Sequence, residues 1–410
     1  MLAITVTYVP YILAELPSNL IIKKVGPRIL LPCLCTSWGV VTTLQSQLKS
    51  YGGLIACRFF LGLLEGGLFP GIVLYLSSFY RRHELQMRIG LFFSAAAMSG
   101  AFSGLLAAAI VQMNGIGGLT GWQWIFLLEG LFTVCFGVMT GFLLPDTPQQ
   151  VFSFTKAEAD HCVERLKADV FAEETPRINI KALLSTFTDL HIWLLCIALF
   201  CNGTSLFGLA YFTPSIVQGL GYSGTKTQLL TVPPFAIALV VTMISAFVAD
   251  RYRSRGLTAI CNTCLAVAGF AMFLGGSGTA TRYAALCLMI SGVYSAAPCL
   301  VSWVPNNSAG HTRRATAVAL GFISTNVGGI ISTWIYPRSA APDYQFAARY
   351  NLALSCITIA VTAGEIWLLS RMNQTKSEQS DLILRDVQHL PVQQQIDSLG
   401  DHHPSFRYTL

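Results

Sequence analysis

Apolar residues fall in long, nearly unbroken runs along this chain, and polar residues collect in short clusters between them. Eleven runs are long enough for a helix to cross the roughly 30 Å hydrocarbon layer of a bilayer. They cover 3–22, 29–46, 53–79, 89–113, 123–144, 190–218, 228–249, 257–276, 283–305, 315–336 and 347–370. The pattern predicts an all-α polytopic membrane protein with eleven transmembrane helices. One longer polar stretch, 145–189, separates five runs from six, and within it Lys156 to Asp169 reads as an amphipathic helix with Ala157, Cys162, Val163 and Leu166 on one side.

The polar clusters carry a second periodicity. Lys23, Lys24 and Arg28 follow run one, and Arg81, Arg82 and Arg88 follow run three. Arg251, Arg253 and Arg255 follow run seven, and Arg313 and Arg314 follow run nine. The alternate loops hold only Lys49, Lys226, Arg282, Arg338 and Arg349. Lysine and arginine accumulate in short cytoplasmic loops, so this alternation puts the basic loops, the 145–189 linker and the tail in the cytoplasm and the N-terminus outside. Composition agrees, with 53% hydrophobic and 11% charged residues and a mean hydropathy of +0.57, against about 25% charged in soluble domains. The net charge of +6 follows from the loops and implies no nucleic-acid partner.

The two halves repeat. Lys23-Lys24-Val25-Gly26-Pro27-Arg28 corresponds to Asp250-Arg251-Tyr252-Arg253-Ser254-Arg255-Gly256, and the Ser/Gly/Ala-rich helix opened by Arg88 corresponds to the one opened by Arg314. Both offsets are roughly 225 to 230 residues, as in carriers built from parallel repeats. Run seven then pairs with run one, and run six has no partner. The expected architecture is two pseudo-symmetric six-helix bundles with the first helix missing. Its parts are a bundle over 1–144, a cytoplasmic linker over 145–189, a bundle over 190–370 and a disordered tail over 371–410.

Run three holds the chemistry. Arg58 and Glu65 are seven residues apart, which rotates about 700° in a helix and puts both on one face about 10.5 Å apart along the axis. Ionisable groups at membrane depth mark substrate and proton paths by default. The guanidinium fork suits a carboxylate, and Glu65 can carry a proton. The competing reading is a structural salt bridge to a neighbouring helix. Asn202 and Tyr211 in run six and Asn326 in run ten can line a cavity or bond helix to helix. Glu15 reads as a bond across to a partner helix, and Glu129 and Glu365 as packing or snorkelling groups. The spacings Gly62/Gly66, Gly67/Gly71 and Gly100/Gly104 permit close helix approach.

These features resemble the major facilitator superfamily, and more narrowly the fungal anion:cation symporters of the allantoate and nicotinate permease type. The resemblance rests on Glu15-Leu-Pro-Ser-Asn19, Val25-Gly-Pro-Arg28, Arg58-Phe-Phe-Leu-Gly-Leu-Leu-Glu65 with Gly67 and Pro70, and Gly121-Trp-Gln-Trp124 through Glu129-Gly130. It extends to Pro145-Asp-Thr-Pro148, Tyr211-Phe-Thr-Pro-Ser215 with Gln228 through Pro234, and Trp303 with Asn306-Asn307 and Ala309-Gly-His-Thr-Arg-Arg314. It implies a monomeric secondary carrier that moves a small organic anion with a proton by alternating access, with no other cofactor, at the plasma membrane. Arg58 and Glu65 would handle substrate and proton, and Gly26, Arg28, Asp250 and Arg251 would belong to the gating loops. The acidic residue usual three positions before the loop glycine is Lys23 here, while the second copy keeps Asp250. Nicotinate, allantoate, other vitamin acids, dipeptides and sugar acids all fit. A non-transporting sensor or a nonfunctional truncated member of the same family is the alternative.

Enzyme and metal chemistry find little support. Nearly all twelve cysteines sit inside apolar runs and act as small apolar residues. Cys33/Cys35 and Cys261/Cys264 have no second ligand pair, so no zinc or disulfide framework is expected. The seven histidines lie in loops, helix ends and tail with no nucleophile and base set.

Overall fold

The computed structural model describes residues 2–81, 84–167, 180–222, 225–276, 278–336, 344–385, 387, 395 and 399–410. Among these residues the chain is helical with no strand. The first group comprises α1 (Leu2–Val25), α2 (Pro27–Gln45), α3 (Tyr51–Glu65), α4 (Leu68–Phe79), α5 (Leu85–Val111) and α6 (Gly121–Leu143). Two short helices follow, α7 (Lys156–Lys167) and α8 (Ile180–Thr188). The second group comprises α9 (Leu190–Gly219), α10 (Thr225–Tyr252), α11 (Arg255–Gly275), α12 (Thr279–Asn306), α13 (His311–Ile335) and α14 (Gln345–Glu378), followed by α15 (Ser380–Leu384). Among the described residues, eight spans are long and apolar enough to cross a membrane, counting α3 and α4 as one. The remaining long helices, α1, α2 and α5, have 24, 19 and 27 residues. Residues 168 and 169 of the expected linker helix lie outside the described residues.

Local chemistry sets the helix ends. Ser50 caps α3 by accepting the Gly53 amide. Thr120 and Gln123 form a reciprocal capping box at the start of α6, and Gln123 Nε2 also reaches the Ser46 carbonyl beyond the end of α2 at 2.8 Å. Run three is broken at Gly66-Gly67 because Pro70 has no amide to donate to the Gly66 carbonyl one turn back. Glu65 is therefore the last residue of α3. Several helices outrun their apolar cores, α14 by eight residues beyond the expected end at 370.

Packing follows the sequence repeat. α2 lies along α6 as α11 lies along α14, and α1 packs on α3 as α10 packs on α12. Between the groups, α1 meets α13 and α5 meets α10. These two contacts exchange under the repeat, so a pseudo-two-fold axis relates the halves. α9 packs on α13 and α14 and has no counterpart in the first group among the described residues. The tail differs from expectation. Residues 399–410 fold back on the second group, with Phe406 and Tyr408 1% and 3% exposed.

Candidate functional site

A cavity of about 490 Å³ opens between the two groups of helices. α1, α3, α4 and α5 form one wall, and α9, α12 and α13 form the other. Arg58, Glu65, Asn202, Tyr211 and Asn326 all line it. The sequence spreads these residues over three helices, α3, α9 and α13, and the fold brings them to one space.

Glycines in α3 explain how α1 reaches the site. A Cβ on Gly62 would lie 2.0 Å from the Thr7 carbonyl oxygen, and one on Gly66 would lie 2.4 Å from that of Tyr11. The backbones touch at these two positions, which only glycine allows. The contact draws Tyr8 and Tyr11 to the cavity wall beside Glu65. Sequence reading passed over both tyrosines, although a signal was present: Tyr8, Tyr11 and Glu15 are three and four residues apart and share one helix face.

The lining is mostly apolar and rich in rings. Eight of its residues are aromatic: Tyr8, Tyr11, Phe69 and Phe93 from the first wall, and Phe207, Tyr211, Tyr294 and Phe322 from the second. The Tyr8 and Tyr211 hydroxyls share a 3.0 Å hydrogen bond across the cavity. Tyr8 also meets Phe207 edge to face at 5.6 Å, and Phe207 stacks with Tyr211 at 6.2 Å. Arg58 is the one cationic side chain in the lining and Glu65 the one anionic side chain. Arg58 lies within electrostatic reach of Glu65. Among the described residues neither forms an ion pair. Among the described residues, Arg58 therefore lines the cavity with Glu65 as a nearby charge and with no ion pair to a neighbouring helix.

Below the cavity, toward the end with the basic loops, the walls are joined by polar contacts. Asn326 Nδ2 donates to Glu15 Oε1 at 2.5 Å, and Asn19 Nδ2 donates to the Ala315 carbonyl at 3.2 Å. Glu15 and Asn19 are both fully buried. Buried polar groups are mostly hydrogen-bonded, and Glu15 bonds to a partner helix through Asn326, as its sequence position suggests.

The loop motifs act at helix starts. Gly26 has a φ of +90°, in the region that favours glycine. A Cβ there would sit 2.9 Å from Asp146 Oδ1, the same oxygen that accepts the Arg28 amide at 2.9 Å. The Pro145-Asp-Thr-Pro148 motif thus supplies a carboxylate to the N-terminus of α2. Asp250 accepts the Met87 amide at 2.7 Å in the first turn of α5 and pairs with Arg255 at 3.5 Å. Arg251 is exposed. The charge partner of Asp250 is therefore Arg255, five residues on at the start of α11, across the break after Tyr252 that ends α10.

Comparison with known proteins matches this arrangement. Residues 1–333 match the family model described as the Major Facilitator Superfamily. An uncharacterized transporter of Schizosaccharomyces pombe is 32% identical over 91% of this chain and 75% of its own length. A major facilitator-type transporter of Emericella nidulans is 30% identical over 100% of this chain and 83% of its own. The high-affinity nicotinic acid transporter of Saccharomyces cerevisiae is 28% identical over 99% of this chain and 75% of its own. Among solved structures, the proton:xylose symporter XylE bound to 6-bromo-6-deoxy-D-glucose has a TM-score of 0.69 at 13% identity, covering 88% of this chain and 84% of that one.

Proposed function

The chain belongs to the Major Facilitator Superfamily of membrane transporters, and from that premise we propose that it carries a small organic monocarboxylate together with a proton. The observation that carries this reading is the charge content of the cavity. One arginine and one glutamate face an otherwise uncharged space rich in aromatic rings. Arg58 binds the carboxylate in the two-point geometry its planar fork provides. Glu65, at the helix break beside Tyr11, carries the proton. An anion entering against a negative interior works against about 2.3 kcal/mol per charge per 100 mV, and a co-transported proton removes that opposition.

The lining ranks the acids. Eight rings favour a flat aromatic acid over a polar, ureido-bearing one such as allantoate, because each unpaired polar group placed against apolar walls costs about 1 to 3 kcal/mol. A dicarboxylate would bring two charges to one cation next to Glu65. The relative named as a nicotinic acid transporter is consistent with this ranking. Plasma-membrane placement, a monomeric carrier and cytoplasmic basic loops belong to the same proposal.

Uptake into proteoliposomes tests it. With an acidic exterior, labelled nicotinate and other aromatic monocarboxylates should accumulate, allantoate should accumulate more weakly, and dicarboxylates should not. Equal accumulation of all three, or of none, contradicts the reading.

A further inference from the structure

The Trp303, Asn306-Asn307 and Arg313-Arg314 motifs take no part in the cavity. Together with the starts of α9 and α11 and the end of α14, they form a second polar site where five helices of the second group end beside the basic loops. Residues 400–410 lie in it. We propose that this notch is a peptide-binding site that grips an extended run at 407–410, and that its ligand is the protein's own 400–410 segment. The proposal is independent of any reading of the transport cavity.

Two carboxamides carry the argument. Asn373 on α14 donates to the Tyr408 carbonyl and accepts the Tyr408 amide, both at 2.9 Å. Asn307, just past the end of α12, donates to the Thr409 carbonyl at 3.1 Å and accepts the Thr409 amide at 2.8 Å. In an extended chain, successive residues turn their amide and carbonyl groups to opposite sides. Asn373 and Asn307 therefore grip consecutive residues from opposite sides, as a neighbouring strand would on each edge. Peptide-binding proteins use this mode: main-chain bonds hold the peptide and pockets for particular side chains select it.

The remaining contacts extend the grip. Trp303, itself 0% exposed, donates its ring N–H to the Thr409 carbonyl at 2.7 Å, and the Arg255 amide donates to the Leu410 carbonyl at 2.9 Å. Lys376 donates to the Phe406 carbonyl at 3.1 Å, also donates to that of Asp401, and lies 3.8 Å over the Tyr408 ring. Phe406 and Tyr408 are buried while Ser405 and Arg407 face outward, so the two rings are the side chains the site selects. Asp401 anchors the entry through a 2.9 Å ion pair with Arg313, which also pairs with Asp189. Asp189, His191 and Asp401 place one possible ligand atom each within 4.8 Å of one another. Arg313 already bonds both carboxylates.

Amide hydrogen exchange on the full chain in lipid nanodiscs tests the proposal. The amides of Tyr408 and Thr409 should exchange at least about tenfold more slowly than in a free peptide of residues 400–410. Asn307→Ala and Asn373→Ala should each restore fast exchange there, with the amides of α6 unchanged as a control for folding. A labelled 400–410 peptide added in trans should bind the full-length Phe406→Ala/Tyr408→Ala variant, whose own segment is weakened, and not the parent. Exchange of the parent segment at the free-peptide rate, or no binding of the peptide to the variant, would overturn the proposal.

Discussion

Asn326 on α13 donates its side-chain amide to Glu15 on α1 at 2.5 Å, and this bond joins the two halves of the carrier directly beneath the cavity. Any motion that opens the cavity toward the basic loops must part these residues. A double-mutant cycle with Glu15→Ala and Asn326→Ala should give a coupling of about 1 to 2 kcal/mol in unfolding free energy. Additive effects would mean that the bond is not maintained in the membrane.

Close approach of α1 to α3 makes a sharp prediction about substitution. Gly62→Val places side-chain carbon where the Thr7 carbonyl stands, whereas Gly52 has open space around it. Gly62→Val should lower stability by about 2 kcal/mol or more, and Gly52→Ala should change it by less than about 0.5 kcal/mol. Thermal unfolding of the two variants in the same detergent checks both values. Equal shifts would show that the helices are not in backbone contact.

His403 gives the 400–410 segment a pH dependence with a definite sign. Burial, and after it the Lys376 charge, lower its pKa from the ordinary 6.5. The neutral ring is favoured when the segment is docked, so docking is strongest above about pH 6.5 and is lost progressively as pH falls through the lowered docked-state value. Exchange at Tyr408 should accelerate on acidification, and His403→Gln should flatten that response. A rise in protection at low pH would contradict the assignment.

Much of this molecule is legible along the chain, because a membrane helix must announce itself by apolar length and its loops by charge. Arg58, Glu65, Asn202, Tyr211 and Asn326 were singled out as polar groups at depth, and they share one cavity. Tyr8 and Tyr11 were missed because a tyrosine in an apolar helix looks like packing, and only the glycines of α3 place these two at the site. The pairing of Asp250 with Arg255 is not legible along the chain, because it depends on the turn after α10 that brings Arg255 to the carboxylate. The 400–410 segment looked disordered because its composition is polar. Its order comes from Asn307, Asn373 and Trp303, which lie about 35 to 106 residues away.

The central claim is that Glu65 carries the proton and Arg58 holds the anion. The most direct measurement is accumulation of a labelled aromatic monocarboxylate in proteoliposomes under a pH gradient, compared with exchange of the same acid at equal pH. Glu65→Gln should abolish accumulation and retain exchange, and Arg58→Ala should weaken both by tenfold or more, about 1.4 kcal/mol or more in binding. Accumulation by both variants at the level of the parent would contradict the account.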